Sequence, residues 1–205
     1  MTVKAIIFDL GNVLVHIHPD RAMGALADRC AQPVERVRQL FLSGIHLQFM
    51  AGALTGRQFY QRVRTRLNCP ISEQQFREIW ALVIGDPKPG MAGLVEKLHE
   101  RGYDLALCSN TDPWHWDLAR QRCPFFQRFS HFFLSFELGL LKPDRRIFEQ
   151  VLNRLQLAPE QVVFIDDTAE NVRAAREVGM RAIQAMDAAS VVRGLAREGV
   201  SVQAE

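Results

Sequence analysis

Hydrophobic positions along the chain follow two different periods, and the change between them divides it. Ala5-Ile6-Ile7-Phe8 has no polar face, the pattern of a strand buried on both sides in a parallel sheet. It delivers Asp9 into Leu10-Gly11-Asn12-Val13-Leu14. A carboxylate placed where such a strand ends lies at the rim where open α/β sheets bind ligands. Gly11 is expected to let the backbone turn sharply or come close to a ligand. After His16-Ile17-His18-Pro19-Asp20, read as a connection, the spacing becomes helical. Asp20 is expected to cap a helix carrying Met23, Leu26 and Ala27 to about Cys30. Pro33 starts a second helix with Val34, Val37, Leu40 and Phe41 on one stripe, and Thr55 caps a third with Phe59, Val63 and Leu67. Ser72 and Gln75 form a capping box ahead of Phe76, Ile79 and Trp80. Residues from about 20 to 84 therefore read as all-helical, and Gly85-Asp86-Pro87-Lys88-Pro89-Gly90 ends the block.

Beyond that punctuation, helices and short apolar runs alternate. Helices are expected over Met91–Arg101, from Pro113 towards Arg122, after Asp144, after Thr168 as cap, and from Ala188 to about Ala196. Strands are expected over Tyr103–Cys108, Phe132–Ser135, Val162–Ile165 and Met180–Ile183. Such alternation, with one helical block inserted after the first strand, predicts an α/β fold with a predominantly parallel sheet. The block is expected to stand over the carboxyl ends of the strands as a lid.

Composition narrows the class without choosing a function. At 205 residues, 48% hydrophobic and 23% charged, the chain suits one core, or a core with a small second module. A net charge of +2 with no dense Lys/Arg run gives no reason to expect nucleic acid. Cys30, Cys69, Cys108 and Cys123 match neither a paired spacing nor a zinc pattern, so free thiols in a reducing compartment are expected. No apolar run approaches the roughly 18 residues of a membrane span, and no cleavage-site pattern follows the first strand. A cytoplasmic enzyme or binding protein is the expectation, monomer or homodimer.

The candidate chemistry lies at four strand ends. Ser109-Asn110-Thr111, Lys142, and Asp166-Asp167 each read in isolation as a turn, a surface lysine or a solvated pair. Together with Asp9 they all follow apolar strands at the ligand-binding edge of a parallel sheet. Asp9 with Asp167 makes a hard, all-oxygen site of the kind Mg²⁺ prefers, with the Gly11 carbonyl near and Asp166 either a ligand or the holder of a bound water. Ser109 and Asn110 are candidate phosphate donors, and Lys142 supplies fixed positive charge. Asn171, one turn into the following helix, is expected to orient the second metal-binding carboxylate. Asn12 is expected to stabilise its turn or orient Asp9.

Phe8-Asp9-Leu10-Gly11-Asn12-Val13-Leu14, Leu107-Cys108-Ser109-Asn110-Thr111, Gly139-Leu140-Leu141-Lys142-Pro143-Asp144 and Phe164-Ile165-Asp166-Asp167 with Asn171 resemble, in order and spacing, the four motifs of the haloacid dehalogenase (HAD) superfamily. Within it, the chain looks most like bacterial α-D-glucose-1-phosphate phosphatase and the phosphatase domain of soluble epoxide hydrolases. The resemblance implies a Rossmann-like core over residues 1–16 and 87–205 and a small all-helical cap over 17–86. It also implies Asp9 as a nucleophile that forms an aspartyl-phosphate, Mg²⁺ as cofactor, and a small phosphorylated metabolite as substrate, a hexose 1-phosphate being one candidate.

The chain departs from the pattern at Gly11, where most phosphatases of the superfamily carry a second aspartate as general acid and base. Such a group is worth about 10²–10⁴-fold, so a weakly basic leaving group, a surrogate acid or a weak activity is implied. His16 and His18 are candidate surrogates, and Trp114 at the expected mouth is a candidate substrate contact, with cavity packing the alternative. Phe41, His46, Phe49 and Met50 are further residues that could face the cavity. Two rivals stay open: a 2-haloacid dehalogenase using Asp9 without metal, and a phosphate-binding protein with turnover weakened by loss of the acid.

Overall fold

Residues 2–202 are described by the computed structural model. Ala5–Phe8 (β1) is fully buried along its length, as its lack of a polar face requires. It lies at the centre of a five-stranded sheet with Asp104–Ser109 (β4), His131–Leu134 (β5), Val162–Asp166 (β6) and Arg181–Gln184 (β7), in the order β5-β4-β1-β6-β7. Every pairing in that sheet is parallel. The α/β, parallel-sheet architecture read from the sequence is therefore present. Helices Met91–Glu100 (α6), Pro113–Arg122 (α7), Arg145–Leu155 (α9) and Ala169–Glu177 (α10) lie on the crossovers, a short helix Ser135–Leu138 (α8) follows β5, and Ala188–Arg197 (α11) follows β7.

One face of the sheet packs Ile6 and Phe8 with Leu94, Val95, Leu98, Leu107 and Leu195; the other packs Ala5 and Ile7 with Ile147, Phe148, Phe164 and Val172. Alternate residues of the same strand thus feed opposite cores, the arrangement a strand without a polar face is built for.

The inserted block contains Pro19–Cys30 (α1), Val34–Leu42 (α2), Ile45–Met50 (α3), Gly56–Leu67 (α4) and Glu73–Trp80 (α5). Thr55 caps α4 as expected, accepting from Gln58 N–H in a full capping box, and the expected box of α5 forms with Ser72 accepting from Gln75 N–H. Each such cap is worth about 1 kcal/mol. These helices enclose an aromatic core of Phe41, Phe49, Phe59, Phe76 and Trp80. Ring pairs within it lie 4.6–6.4 Å apart, spacings that add about 0.5–1.5 kcal/mol each beyond burial.

Several local expectations are corrected. Asp20 does not cap α1; it sits in the first turn after Pro19, where its charge still favours the helix dipole. The chain enters and leaves the cap through a two-stranded antiparallel ribbon, Val15–Ile17 (β2) with Ile84–Pro87 (β3), read from the sequence as a connection and a break. Three or four residues interrupted by His, Asp and Pro carry no strand period. The cap helix α3 was not expected either. Cys30 and Cys69 are not free thiols: helix packing brings their Cα atoms to 4.7 Å and they are joined by a disulfide across 39 residues, a pairing no local spacing marks. Cys108 and Cys123 are free and buried, and burial pushes both thiols up to about 12. Among the described residues no helix is long and apolar enough to cross a membrane.

Several contacts dock the cap on the core. Trp114, at the start of core helix α7, inserts its ring among Phe49, Phe59 and Phe76, so closely that a methyl group on Gly56 would overlap it. Ser135 Oγ lies 2.6 Å from the Met50 carbonyl, and Gly52 lies so close to the Phe136 carbonyl that it admits no side chain. At the hinge, Arg122 donates to the carbonyls of Ile84 and Gly85.

Candidate active site

Asp9 follows β1 directly, and its N–H continues the sheet ladder to the Ile165 carbonyl (2.8 Å). Leu10 N–H is followed by a tight loop in which Asn12 N–H reaches the Val15 carbonyl (2.7 Å) and Leu14 N–H the Leu10 carbonyl (2.9 Å). The left-handed residue of this loop is Asn12, at φ 55°, a conformation asparagine tolerates better than most residues. Gly11 was expected to supply that freedom and does not. A Cβ built there would meet only Ile17 at 3.4 Å, an ordinary contact.

Lys142 Nζ reaches Asp9 Oδ1 (2.7 Å), Asp166 Oδ2 (2.6 Å) and the Cys108 carbonyl (2.9 Å), which uses all three ammonium protons. Burial alone would lower the Lys142 pKa, but the charges of Asp9 and Asp166 outweigh it and hold the ammonium above its ordinary value. Asn110 fixes the backbone that carries this lysine: Lys142 N–H donates to Asn110 Oδ1 and Asn110 Nδ2 donates to the Lys142 carbonyl, both at 2.8 Å. Its side chain is thereby committed to positioning Lys142, leaving its backbone N–H for an anion.

Asp166 is wholly buried and saturated. Asn171 Nδ2 lies 3.0 Å from each of its oxygens, Thr168 N–H donates to Oδ1 at 2.9 Å, and Lys142 takes Oδ2. Asn171 therefore orients Asp166, not Asp167 as expected. The donor on Asp167 is Asn12, whose Nδ2 reaches Oδ2 at 2.9 Å; Asn12 orients the far carboxylate and not its neighbour Asp9. Thr168 was expected to cap α10 but makes no side-chain cap bond, its hydroxyl donating to Asp167 Oδ1 (3.1 Å) instead.

Asp9, Asp166 and Asp167 each offer an oxygen within 4.8 Å of the others, the one group of this kind among the described residues. Burial, and then the Asp166 charge, push Asp9 up to about 6 against the pull of Lys142. One ammonium thus does not hold the Asp9 carboxyl in its ordinary range, and a hard divalent cation matches both the deficit of positive charge and the all-oxygen donors. Asp9 and Asp167 could hold it directly, the Asp166 oxygens being already engaged by Lys142, Thr168 and Asn171.

These groups open on a cavity of about 580 Å³. Asp9, Gly11, Asn12, Ser109, Asn110, Lys142, Asp167 and Asn171 line its floor together with Leu10, Thr111, His115 and Thr168 of the core, and residues of the cap and hinge line the rest. Phe41, His46 and Met50 reach it, while Phe49 is enclosed in the cap core. His16 and His18 do not line it; His16 lies on β2 and His18 just past its end, with their rings stacked 6.1 Å apart. Trp114 does not line it either, its ring being the plug described above, under the Arg77 guanidinium at 4.8 Å.

Sequence reading overlooked Asp112. It caps α7 through the N–H groups of Trp114 and His115, and its other oxygen meets Trp80 Nε1 (3.0 Å) and His115 Nδ1 (2.8 Å). His115 Nε2 faces the Trp80 carbonyl at 2.9 Å, so both ring nitrogens face acceptors and the imidazolium is the form that fits. Burial would raise Asp112 and lower His115, but each overrides that effect in its partner: Asp112 is lowered and His115 raised. Asp112-Pro113, a helix-start dipeptide, was the available signal.

Known proteins agree with this construction. A D-ribitol-5-phosphate phosphatase of Bacteroides thetaiotaomicron is 23% identical over 89% of this chain and 91% of its own length. A sesquiterpene phosphatase of Aspergillus oryzae is 27% identical over 91% of each. The crystal structure of a HAD family enzyme from B. thetaiotaomicron, in complex with magnesium and inorganic phosphate, superposes with a TM-score of 0.82 at 26% identity, covering 89% of this chain and 93% of that one. The family model for haloacid dehalogenase-like hydrolases matches residues 3–179, and the chain belongs to that family of hydrolases.

Proposed function

We propose that this chain is a Mg²⁺-dependent phosphatase of small phosphate monoesters, with Asp9 as nucleophile. The observation that carries the reading is the convergence of Asp9, Asp167, Ser109 and Lys142 on one cavity floor. Magnesium and phosphate bound together in the related crystal structure support it. Mg²⁺, held by Asp9 and Asp167, would offset the repulsion between a carboxylate and the phosphoryl group.

An Asp9 carboxylate oxygen attacks phosphorus as the bond to the alcohol oxygen breaks, leaving an aspartyl-phosphate that water then hydrolyses to phosphate and free Asp9. Lys142, fixed by three acceptors and by Asn110, favours the ionised form of Asp9 and faces the charge of the transferring group. Ser109 and the N–H groups after β4 are placed for phosphoryl oxygens. Gly11 passes no proton to the departing alcohol, so alcohols that leave with little protonation, anomeric or phenolic, are favoured. Hexose 1-phosphates are candidates on that ground. A metal-free dehalogenase would have no use for the carboxylate cluster, and the relatives, one a ribitol-phosphate and one a sesquiterpene phosphatase, do not choose between polar and apolar substrates.

Phosphate release measured with and without Mg²⁺ over hexose 1-phosphates, hexose 6-phosphates, nucleotides and aryl phosphates tests this, with Asp9→Asn as control. Mg²⁺-dependent release that disappears in Asp9→Asn is expected, together with a phosphorylated wild-type enzyme by intact mass. Near-wild-type turnover in Asp9→Asn removes the covalent mechanism; ligand binding without any release leaves a phosphate-binding protein.

A further inference from the structure

The floor of the cavity is polar, but its walls are not. The cap helices contribute Met23, Phe41, Leu42 and Met50, and the hinge contributes Ile17 and Val83. Among the described residues, the cap brings three polar side chains to this space: Arg38, His46 and Trp80. Trp80 has spent its one N–H on Asp112. Arg38 is shared between Asp20 at 3.5 Å and Glu35 at 3.6 Å. His46 turns its edge to Phe41, with Nδ1 buried and unpartnered.

A hexose would bring several hydroxyls into this space, and each hydroxyl taken from water without a partner costs free energy. The wall has too few free donors and acceptors for them. A hydrocarbon needs none and gains in proportion to the apolar area it buries. The volume lies within the usual range for small-molecule sites and leaves room beyond a phosphate. Two of the wall residues are methionines, whose unbranched, polarizable side chains adapt to irregular apolar shapes. The apolar surface runs out to the rim, where Leu42 is 77% exposed.

We infer that the preferred substrates are phosphate monoesters of hydrocarbon alcohols, aryl or alkyl, and that Met23, Phe41 and Met50 set this preference. The inference rests on the phosphatase reading above and narrows its substrate class. Within it, the missing acid at Gly11 makes aryl esters the faster substrates, while area buried in the cap governs affinity for both.

The test has two arms. In the first, kcat/KM with Mg²⁺ is measured for ethyl, butyl and octyl phosphate, phenyl and naphthyl phosphate, and hexose 1- and 6-phosphates. A rise of about threefold per methylene is expected until the cavity fills, with hexose phosphates at or below ethyl phosphate. In the second, alkylphosphonates of the same lengths, which cannot be hydrolysed, are titrated calorimetrically. Affinity is expected to rise with length at a similar slope, with an increasingly negative heat-capacity change. The double variant Met23→Gln/Met50→Gln, close to isosteric, is expected to cut the octyl-to-ethyl ratio about tenfold in both arms.

Hexose phosphates preferred over octyl and aryl phosphates, with Asp9→Asn inactive, would overturn the inference and leave the phosphatase reading standing. Phosphonate affinity that climbs with chain length while no ester releases phosphate would do the reverse. A flat phosphonate series overturns the inference whatever the turnover.

Discussion

Lys142 Nζ lies 2.7 Å from Asp9 Oδ1, and that distance joins a residue at the end of the first strand to one 133 positions later. The same ammonium satisfies Asp166, so it has two duties, one chemical and one structural. Lys142→Met is expected to abolish turnover and to cost about 3–5 kcal/mol of stability, because it leaves Asp166 as an unpaired buried charge. Adding Asp166→Asn to it should restore most of the stability and none of the activity. Urea titrations of the single and double variants check this; a single variant as stable as wild type would mean that Asp166 finds its charge balance elsewhere.

Gly11 has an ordinary backbone conformation and room for a side chain. Gly11→Asp is therefore expected to fold and to give back part of the roughly 10²–10⁴-fold that acid–base catalysis is worth. The gain should be about tenfold or more on alkyl phosphates and small on aryl phosphates, whose oxygens leave with little help. Comparing kcat for the two ester classes decides the matter. Equal changes in both would show that protonation of the leaving group is not what limits the wild-type enzyme.

The Asn12 side chain reaches across to Asp167. Asn12→Gly keeps the left-handed loop open at little strain while deleting the amide. Loss of a group that orients a metal-binding carboxylate typically costs 10–100-fold, so the Mg²⁺ concentration for half-maximal turnover is expected to rise by about that factor. Saturating Mg²⁺ should then recover most of kcat. An unchanged Mg²⁺ requirement would remove Asn12 from the support of the metal site.

The Asp112–His115 pair gives the cap–core junction a pH window. His115 is raised above its ordinary 6.5, so its contribution is complete below that value and is lost as pH rises through the folded-state value. Asp112 is depressed below 3.8, so its contribution is complete above that value and is lost as pH falls through the folded-state one. Between those limits, His115→Phe is expected to destabilise by about 3–5 kcal/mol, the range for breaking a buried pair. Its deficit relative to wild type should shrink at alkaline pH, where wild-type His115 discharges, and at strongly acid pH, where Asp112 protonates. Thermal midpoints collected across pH give the curve, and a pH-independent deficit would point to lost packing against Trp80 alone.

Much of this was legible in the residues. Apolar runs such as Ala5–Phe8 and Val162–Ile165 specify strands by themselves, and polar groups at their ends mark the ligand edge. Asp9, Ser109, Lys142 and Asp167 were found in that way. What was not legible depends on pairs far apart in sequence. Asn12 meets Asp167, 155 positions away, because β1 and β6 lie side by side in the sheet. Trp114 illustrates a different limit. An aromatic residue at a helix start near the expected mouth fits a substrate contact and a cap plug equally well, and only the surrounding Phe49, Phe59 and Phe76 rings decide.

The position of β1 in the sheet bears on how the chain is made. Its two hydrogen-bonding edges are closed by partners that leave the ribosome much later, Ala5 pairing with Asp104 on one side and Val162 on the other. Throughout synthesis of the cap, a wholly apolar segment waits with both edges bare, a template for pairing with other growing chains. Interrupted translation products that end before Val162 should therefore be sticky and short-lived in proportion to how long that strand goes unpaired, and emergence of Val162–Asp166 from the ribosome is the event that ends the exposure.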